Sequence, residues 1–392
     1  MRRVRAGARF PGRIELSAVT TVSVEDLPAL AATVVASSFA LAFVFGAVAQ
    51  RTGFCTMGAV ADVVNFGDWT RMRQWLLAIA VAVLAANGMA AAGVIDLSDA
   101  FYTTPRFTPL AYVVGGLLFG FGMVLAGGCG SRTVVRAGGG SLKSLVVFLV
   151  LGLSAYISLR GAFAVVRVYG IEPVGVELPT HQDLPSLLAA ATGVAKPTLQ
   201  WAAGLLVGGA LLAFALARRD FLHFDNLLAG IAVGGVIAGV WFVSGYVGRL
   251  DEHPVTIEEA FVATNSGRME SLSFVAPVAY TLDWLMFFSD RSKVITLGVA
   301  GVLGTFAGSA AYALASGRFR FEGFSDTEDT ANHLVGATLM GFGGVTALGC
   351  TIGQGLSGVS TLAIGSLLAF ASIVAGAVAG VKYQAWRIER SG

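Results

Sequence analysis

Charged side chains are scarce in this chain of 392 residues. They make up 13% of it, whereas apolar residues make up 55%. A soluble globular protein carries about 25% charged residues, so this composition excludes an ordinary soluble domain and favours a multi-pass membrane protein. The net charge is only +2 and the basic residues are scattered, so we expect no nucleic-acid partner.

Cysteine is also scarce, with three residues in the whole chain. Three cysteines cannot all pair, which excludes a disulfide framework but leaves open a single bridge, for example Cys129 to Cys350. The sequence has no C-x-x-C pair and no Met-x-x-Met cluster, which argues against a Cu(I) transporter. We find no Ser-His-Asp set, no paired carboxylates and no nucleotide-binding motif, so we expect no enzyme activity, no metal and no cofactor.

Apolar runs set the organisation of the chain. A spanning helix needs about 20 apolar residues, and the runs predict an all-α polytopic protein with about eight to ten crossings. The predicted segments are a basic tail over 1–28, a first transmembrane repeat over 29–160, a connector over 161–198, a second repeat over 199–385 and a tail over 386–392. Both ends carry arginines, so the positive-inside rule places both in the cytoplasm.

Each cysteine lies in a glycine-framed break in an apolar run. The three motifs are Gly53-Phe54-Cys55-Thr56, Gly128-Cys129-Gly130 and Gly349-Cys350-Thr351. The run Leu272–Phe288 is short and contains Pro277, which predicts another broken or re-entrant helix.

An internal repeat relates these motifs. A shift of 221 residues lays Gly115–Cys129 on Gly336–Cys350, where nine of fifteen positions agree. A weaker match lays Gly46–Cys55 on Gly235–Ser244, with Ser244 in place of cysteine. Many transporters consist of inverted repeats whose broken helices meet at the substrate site, so we predict two pseudo-symmetric inverted repeats with short broken helices.

The cysteine motifs suit a sulfur-bearing anion. A half-helix that begins inside the membrane presents unpaired N–H groups and a partial positive charge, which favour an anion. Thiols add weak S–H donors, and burial keeps them neutral. The candidate path residues are Cys55, Cys129, Cys350, Arg51, Arg132, Gly128, Gly349, Thr351 and Gln354.

Plainer roles are available for most of these residues. A buried membrane cysteine often serves as a small apolar side chain. Arg51 and Arg132 would serve equally as interfacial anchors, and Thr351 and Gln354 as partners of exposed backbone. We favour the functional interpretation of the cysteines because all three lie in glycine breaks and two lie in matching repeats.

The same motifs resemble those of a known family. They are Gly53–Ala59, Gly120-Phe121-Gly122 through Cys129, Glu270–Pro277, and Gly341-Phe342-Gly343 through Gly355. Over about residues 30–385 the chain resembles the YeeE/YedE family of membrane proteins, which includes thiosulfate transporters. The resemblance implies a narrow hourglass interior in which single cysteines, here Cys55, Cys129 and Cys350, pass the anion along through S–H hydrogen bonds. It also implies that some members work beside small sulfur-carrier proteins.

We therefore expect a bacterial inner-membrane transporter or channel for thiosulfate or a related sulfur anion, with Cys129 and Cys350 at the central constriction. The expected partners are this anion, the lipid bilayer and a small cytosolic sulfur-carrier protein. Two alternatives stay open: a membrane sulfurtransferase that hands a persulfide to a soluble carrier, and a transporter of soft metals or selenium compounds. Gly130-Ser131-Arg132 has no match in the second repeat, which leaves the anion's identity open.

Overall fold

The computed structural model describes residues 23–391 and is almost entirely helical, which confirms the all-α prediction. Four two-residue strands form two antiparallel pairs in loops, β1 (Arg106–Phe107) with β2 (Val176–Glu177) and β3 (Arg249–Leu250) with β4 (Ala260–Phe261). The α-helices are α1 Leu27–Thr52, α2 Thr56–Phe66, α3 Thr70–Ala91, α4 Pro109–Leu125, α5 Gly130–Gly138, α6 Leu142–Arg160, α7 Ala162–Val166, α8 Leu184–Thr192, α9 Lys196–Leu216, α10 Phe224–Phe242, α11 Ala276–Met286, α12 Leu297–Ala315, α13 Thr327–Thr346 and α14 Ile364–Ser391.

The predicted tails need separate comment. Residues 1–22 of the basic tail predicted over 1–28 lie outside the described residues, and α1 already begins at Leu27. The tail predicted over 386–392 also stays a prediction; in the described residues α14 continues to Ser391. The other boundaries of the two repeats and the connector stay predictions.

Eight helical stretches in the described residues are long and apolar enough to cross a membrane. They comprise α1 with α2, α3, α4 with α5, α6, α9, α10, α12 and α14. Helix α13 has 20 residues and packs against α4 and α6, so it adds a ninth crossing. Nine falls within the predicted range of eight to ten.

Two opposite faces of the bundle follow from helices α1 and α10, which run antiparallel. Arg51 near the end of α1 pairs with Asp225 at the start of α10, at 2.9 Å. At the other side, Val34 near the start of α1 lies against Gly248, which follows α10. We call the side with Val34 and Gly248 face A, and the side with Arg51 and Asp225 face B.

The two ends of the described chain lie on opposite faces. The backbone N–H of Ile364, at the start of α14, donates to the carbonyl of Gln182. Gln182 in turn donates to Thr103, in the loop whose Asp99 pairs with Arg249, next to Gly248 on face A. At the end of α14, Arg387 pairs with Glu328 at the start of α13, on face B. An odd number of crossings separates α1 from the end of α14. The prediction that both ends are cytoplasmic is therefore wrong.

Helix packing repeats in two halves. Helix α1 packs on α12 as α10 packs on α3; α4 packs on α14 as α13 packs on α6; and α2 contacts α14 as α11 contacts α6. Each pair becomes its counterpart when the helices of the two halves are exchanged. The equivalent helices are α1 and α10, α2 and α11, α3 and α12, α4 and α13, and α6 and α14. This packing has pseudo-two-fold symmetry. Helix α9, which packs against α3, has no counterpart in the exchange.

The short helices α2 and α11 are equivalent in this arrangement. Each has one ion pair to the chain that follows it. Asp62 pairs with Arg71 in the first turn of α3 at 3.3 Å, and Asp283 pairs with Lys293 in the loop before α12 at 2.6 Å. Pro277 occupies the first turn of α11. A backbone N–H at that position has no acceptor within the helix, so proline, which lacks the N–H, costs no hydrogen bond there. The proline therefore begins a short helix, in agreement with the predicted break before it.

The predicted correspondence of Cys55 with Ser244 is wrong. Ser244 lies within a π-helical turn, Val243–Val247, that continues α10, whereas Cys55 begins a helix after the left-handed Gly53 has ended α1. The residue equivalent to Cys55 is Val275, which precedes α11. The hydroxyl of Ser244 instead donates to the carbonyl of Glu270 at 2.6 Å and so secures the loop before α11.

Glycines allow the long helices to approach backbone to backbone. A Cβ on Gly308 of α12 would overlap the carbonyl oxygen of Phe43 on α1, and a Cβ on Gly120 of α4 would overlap that of Ile373 on α14. Small residues at such crossings let transmembrane helices pack closely. These two crossings join the halves of the molecule.

We expect the variant Gly308→Ala to be destabilised by about 1–3 kcal/mol, the usual cost of overpacking, because α1 and α12 must separate. Thermal unfolding of the purified protein in detergent measures this. Gly209→Ala on α9 is the matched control, since nothing lies within 4 Å of a Cβ there. Equal melting temperatures for the two variants would contradict the packing argument.

Candidate functional site: three thiols at helix N-termini

All three cysteines stand immediately before a helix. Cys55 precedes α2, Cys129 precedes α5, and Cys350 precedes a helical segment that starts at Thr351 and includes the π-helix Gly353–Gly358. The N–H of Gly58 points at the sulfur of Cys55 at 3.5 Å, and the N–H of Gly353 points at that of Cys350 at 3.4 Å. Each of these two sulfurs thus accepts from one N–H of the first turn of its helix.

The breaks before Cys129 and Cys350 share one backbone geometry. Gly127 and Leu348 both adopt positive φ, at 67° and 59°. In each case the next residue, Gly128 or Gly349, donates its N–H five residues back, to Met123 or Gly344. This is the Schellman ending of a helix, which glycine favours. Leu348 adopts positive φ although its side chain makes that conformation unfavourable. The packing of this repeated helix ending therefore outweighs the local backbone strain.

The three thiols are buried and close together. Cys129 and Cys350 are 0% exposed and Cys55 is 8% exposed. Cys129 lies within electrostatic range of both Cys55 and Cys350. All three are free thiols, so the Cys129–Cys350 bridge that counting left open is not formed.

Hydroxyl groups accompany each thiol. Ser131 Oγ lies 3.3 Å from Cys129 Sγ, and Ser273 Oγ lies 4.0 Å from Cys350 Sγ. The hydroxyls of Thr56 and Thr351, each directly after a cysteine, are buried and have no hydrogen-bond partner in the described part of the protein. Buried hydroxyls normally find a partner, so these two are available to a polar ligand.

Arg132 supplies an unpaired positive charge beside the thiols. It lies one turn into α5, within electrostatic range of Cys55 and Cys129. Its Nη1 is buried without an acceptor, and Arg132 forms no ion pair with any described residue. A buried guanidinium without a carboxylate is costly, and an anion at this position would offset that cost.

The neighbouring arginines are already neutralised. Arg136, the next turn of α5, pairs with Glu322 at 2.9 Å, and Lys143 pairs with the same carboxylate. Burial alone would raise the pKa of Glu322, but the hydrogen bonds from Lys143 and Arg136 outweigh it and lower that pKa to about 2. Arg71 pairs with Asp62. Arg132 therefore differs from its neighbours in having no counter-charge.

The second half has no cation at the position equivalent to Arg132. Gly353 occupies it, and a Cβ there would meet Ser273 Oγ at 2.7 Å and Tyr102 Oη at 3.0 Å. Two neutral hydroxyls thus fill the space next to Cys350. The region around Cys350 is polar and uncharged, whereas that around Cys55 and Cys129 is cationic.

A cavity of about 190 Å³ leads from face A toward Cys350. Ser273 and Gly349, the residue before Cys350, belong to its lining, as do Asn265, Glu270 and Tyr280. It could hold several waters or a small inorganic anion, since a water occupies about 30 Å³ in the liquid. Its lining thus combines residues of the loop before α11 with Leu348 and Gly349, which precede Cys350.

The remaining candidate residues have different surroundings. Arg51 lies at face B, where its side chain is 41% exposed and pairs with Asp225, so it is not part of the buried cluster. The side-chain amide of Gln354 donates to the Ala347 carbonyl, which holds the break before Cys350. Gly128 leaves room for the stem of Arg132, and Gly349 for that of Gln354.

Three residues that line the cavity were not among the candidate path residues: Ser273, Tyr102 and Glu270. Ser273 and Glu270 belong to the motif Glu270–Pro277, which the sequence comparison had already singled out. Tyr102 comes from the distant loop between α3 and α4 and reaches the site because Ala100 pairs with Met269. No local pattern in the sequence marks that contact.

Relatives of the chain are known transporters. The thiosulfate transporter TsuA of Spirochaeta thermophila is 26% identical over 340 residues, which cover 83% of this chain and 92% of that protein. The thiosulfate transporter TsuA of Escherichia coli is 29% identical over 324 residues, which cover 79% of this chain and 83% of that protein. Each match covers about four fifths of this chain.

The family model for sulphur transport matches residues 51–379. That range includes all three cysteine motifs, Arg132 and the loop that lines the cavity. The protein is thus a multi-pass transporter of the bacterial inner membrane and not an enzyme. By this match the chain belongs to the sulphur transport (YeeE/YedE) family.

Proposed function

We propose that this protein takes up thiosulfate, or a sulfur oxyanion of the same charge and size, through the buried thiol cluster. The observation that carries the proposal is the unpaired Arg132 beside Cys55 and Cys129. The names of the two relatives support thiosulfate as the anion. The oxygens of thiosulfate would face Arg132 and the helix N–H groups, and its terminal sulfur would face the thiols.

The anion travels from face A to face B in this proposal. It enters the cavity, passes Ser273 and Cys350, and reaches Cys129 and Cys55 next to Arg132. In this proposal face B is the cytoplasmic side, because among residues 23–391 its short loops are richer in lysine and arginine than those of face A. These residues include Arg71, Arg73, Arg136, Lys143, Arg218, Arg219, Arg318, Arg320, Lys382 and Arg387.

Weak individual contacts suit transport because the anion must also leave. A thiol is a weak donor, and one helix N-terminus contributes about 0.3–1 kcal/mol to anion binding, or up to about 2 kcal/mol when partly buried. Successive sites of this strength allow an ion to move on. The burial of all three thiols means that passage requires a local opening of the bundle.

We predict that Cys129→Ala and Cys350→Ala each lower thiosulfate uptake into proteoliposomes at least about tenfold, since a hydrogen bond worth about 1.4 kcal/mol is lost at each step. Cys350→Ser should keep part of the activity because its hydroxyl still donates. Melting temperatures confirm that the variants fold. Wild-type rates in both alanine variants would contradict a path along the thiols.

We predict that Arg132→Gln raises the KM for thiosulfate uptake at least about tenfold, which corresponds to about 1.4 kcal/mol of lost attraction. Arg51→Gln is the matched control, because Arg51 is exposed and already paired with Asp225. It should leave KM within about twofold of wild type, as removal of exposed ion pairs usually does. An equal effect of both variants would show that general surface charge, and not Arg132, attracts the anion.

A further inference from the structure

Glu270 is the one charged side chain in the lining of the face-A cavity. The rest of the lining is apolar or carries neutral hydroxyl and amide groups, among them Asn265, Ser273 and Tyr280. Among the residues that the structure describes, Glu270 has no ion-pair partner. A carboxylate here would face any anion on its way to Cys350.

The contacts of Glu270 hold it in place without neutralising it. The backbone N–H of Ser266 donates to its Oε1 at 2.8 Å, and the hydroxyl of Ser244 fixes its carbonyl at 2.6 Å. These bonds fix both the carboxyl group and the backbone of a residue that lines the cavity. The loop is further anchored by Ser271, whose hydroxyl donates to the Ile237 carbonyl at 3.0 Å.

The groups that face Glu270 from the neighbouring elements are themselves neutral. Tyr102, before α4, and Tyr280, on α11, lie within electrostatic range of it. Beyond Tyr280 lie Arg160 and Asp283, and Asp283 is held by Lys293. Helices α12 and α13 contribute only Gly298, Gly344 and Val345 to the lining.

Burial raises the pKa of Glu270 above that of an ordinary glutamate, against the opposing hydrogen bonds from Ser266 and Asn265. The carboxyl group is therefore neutral at pH values where exposed glutamates are ionised. Burial also raises the pKa of Tyr102, which keeps its hydroxyl a neutral donor. Protonation of Glu270 therefore decides whether the lining of the cavity is neutral or anionic.

We propose that Glu270 is the proton-binding residue of the uptake path, and that a divalent anion enters the cavity only when this carboxyl group is protonated. The proposal rests on the proposed function for its substrate. A dianion and a carboxylate in one narrow cavity repel strongly, because little water screens them. A protonated Glu270 also offers an O–H donor to an oxyanion. Entry of each anion thus requires Glu270 in its protonated form.

The test is the initial rate of labelled thiosulfate uptake at a series of pH values, equal inside and outside the proteoliposomes. The wild-type rate should fall by up to about tenfold per pH unit above the pKa of Glu270, as for one titrating group. Glu270→Gln, which is neutral at every pH, should keep the low-pH rate throughout. Glu270→Asp should restore a pH-dependent rate. Glu258→Gln is the matched control, since Glu258 is an exposed acid of the same loop, and it should follow the wild type.

Two results of the uptake measurements would overturn the proposal. One is a wild-type pH profile in Glu270→Gln; the other is a folded Glu270→Gln protein that is inactive at every pH. The infrared band of the protonated carboxyl group in purified wild-type protein, absent in Glu270→Gln, gives a readout independent of the substrate. No wild-type uptake of thiosulfate at any pH would contradict the proposed function, whereas a band that titrates as in an exposed glutamate would contradict the role of Glu270.

Discussion

Backbone groups at interrupted helices are the constraint on which this structure depends. In a bilayer every N–H and C=O group needs a partner inside the protein, yet the chain begins helices in its interior after Cys55, Cys129 and Cys350. The Schellman endings of α4 and α13 satisfy the carbonyl side of two breaks. On the N–H side, sulfur accepts one bond at Cys55 and one at Cys350. The N–H groups left over make these helix starts suitable for an anion.

The two halves share a backbone but differ in charge. Where the first half has Arg132, the second has Gly353 with the hydroxyls of Tyr102 and Ser273 around it. Where the first half has Cys55, the second has Val275. The result is a polar, uncharged side toward face A and a cationic side toward face B. Such a gradient draws an anion inward, whereas a fully symmetric pair of halves would give no direction.

The sequence predicted the parts of this structure that arise locally. Apolar runs and glycine breaks located the long helices and the three helix starts that follow cysteines. The repeat that relates Cys129 to Cys350 extends to the backbone, since Gly127 and Leu348 have similar positive φ angles. The sequence did not predict the long-range contacts. Nothing near Arg51 in the sequence shows its pairing with Asp225, and nothing near Tyr102 shows its contact with Ser273 and Gly353. The Ser244 match failed because composition alone cannot distinguish a π-helical turn from a helix end.

The central claim is that an anion occupies the site between Arg132 and the thiols of Cys55 and Cys129. The most direct measurement is the anomalous scattering of selenium in crystals of the protein grown with selenosulfate, in which selenium replaces the terminal sulfur of thiosulfate. The account predicts a selenium peak within contact distance of a cysteine sulfur of this cluster, with the oxyanion group toward Arg132. Selenium peaks only at other places, with none beside these thiols, would contradict it.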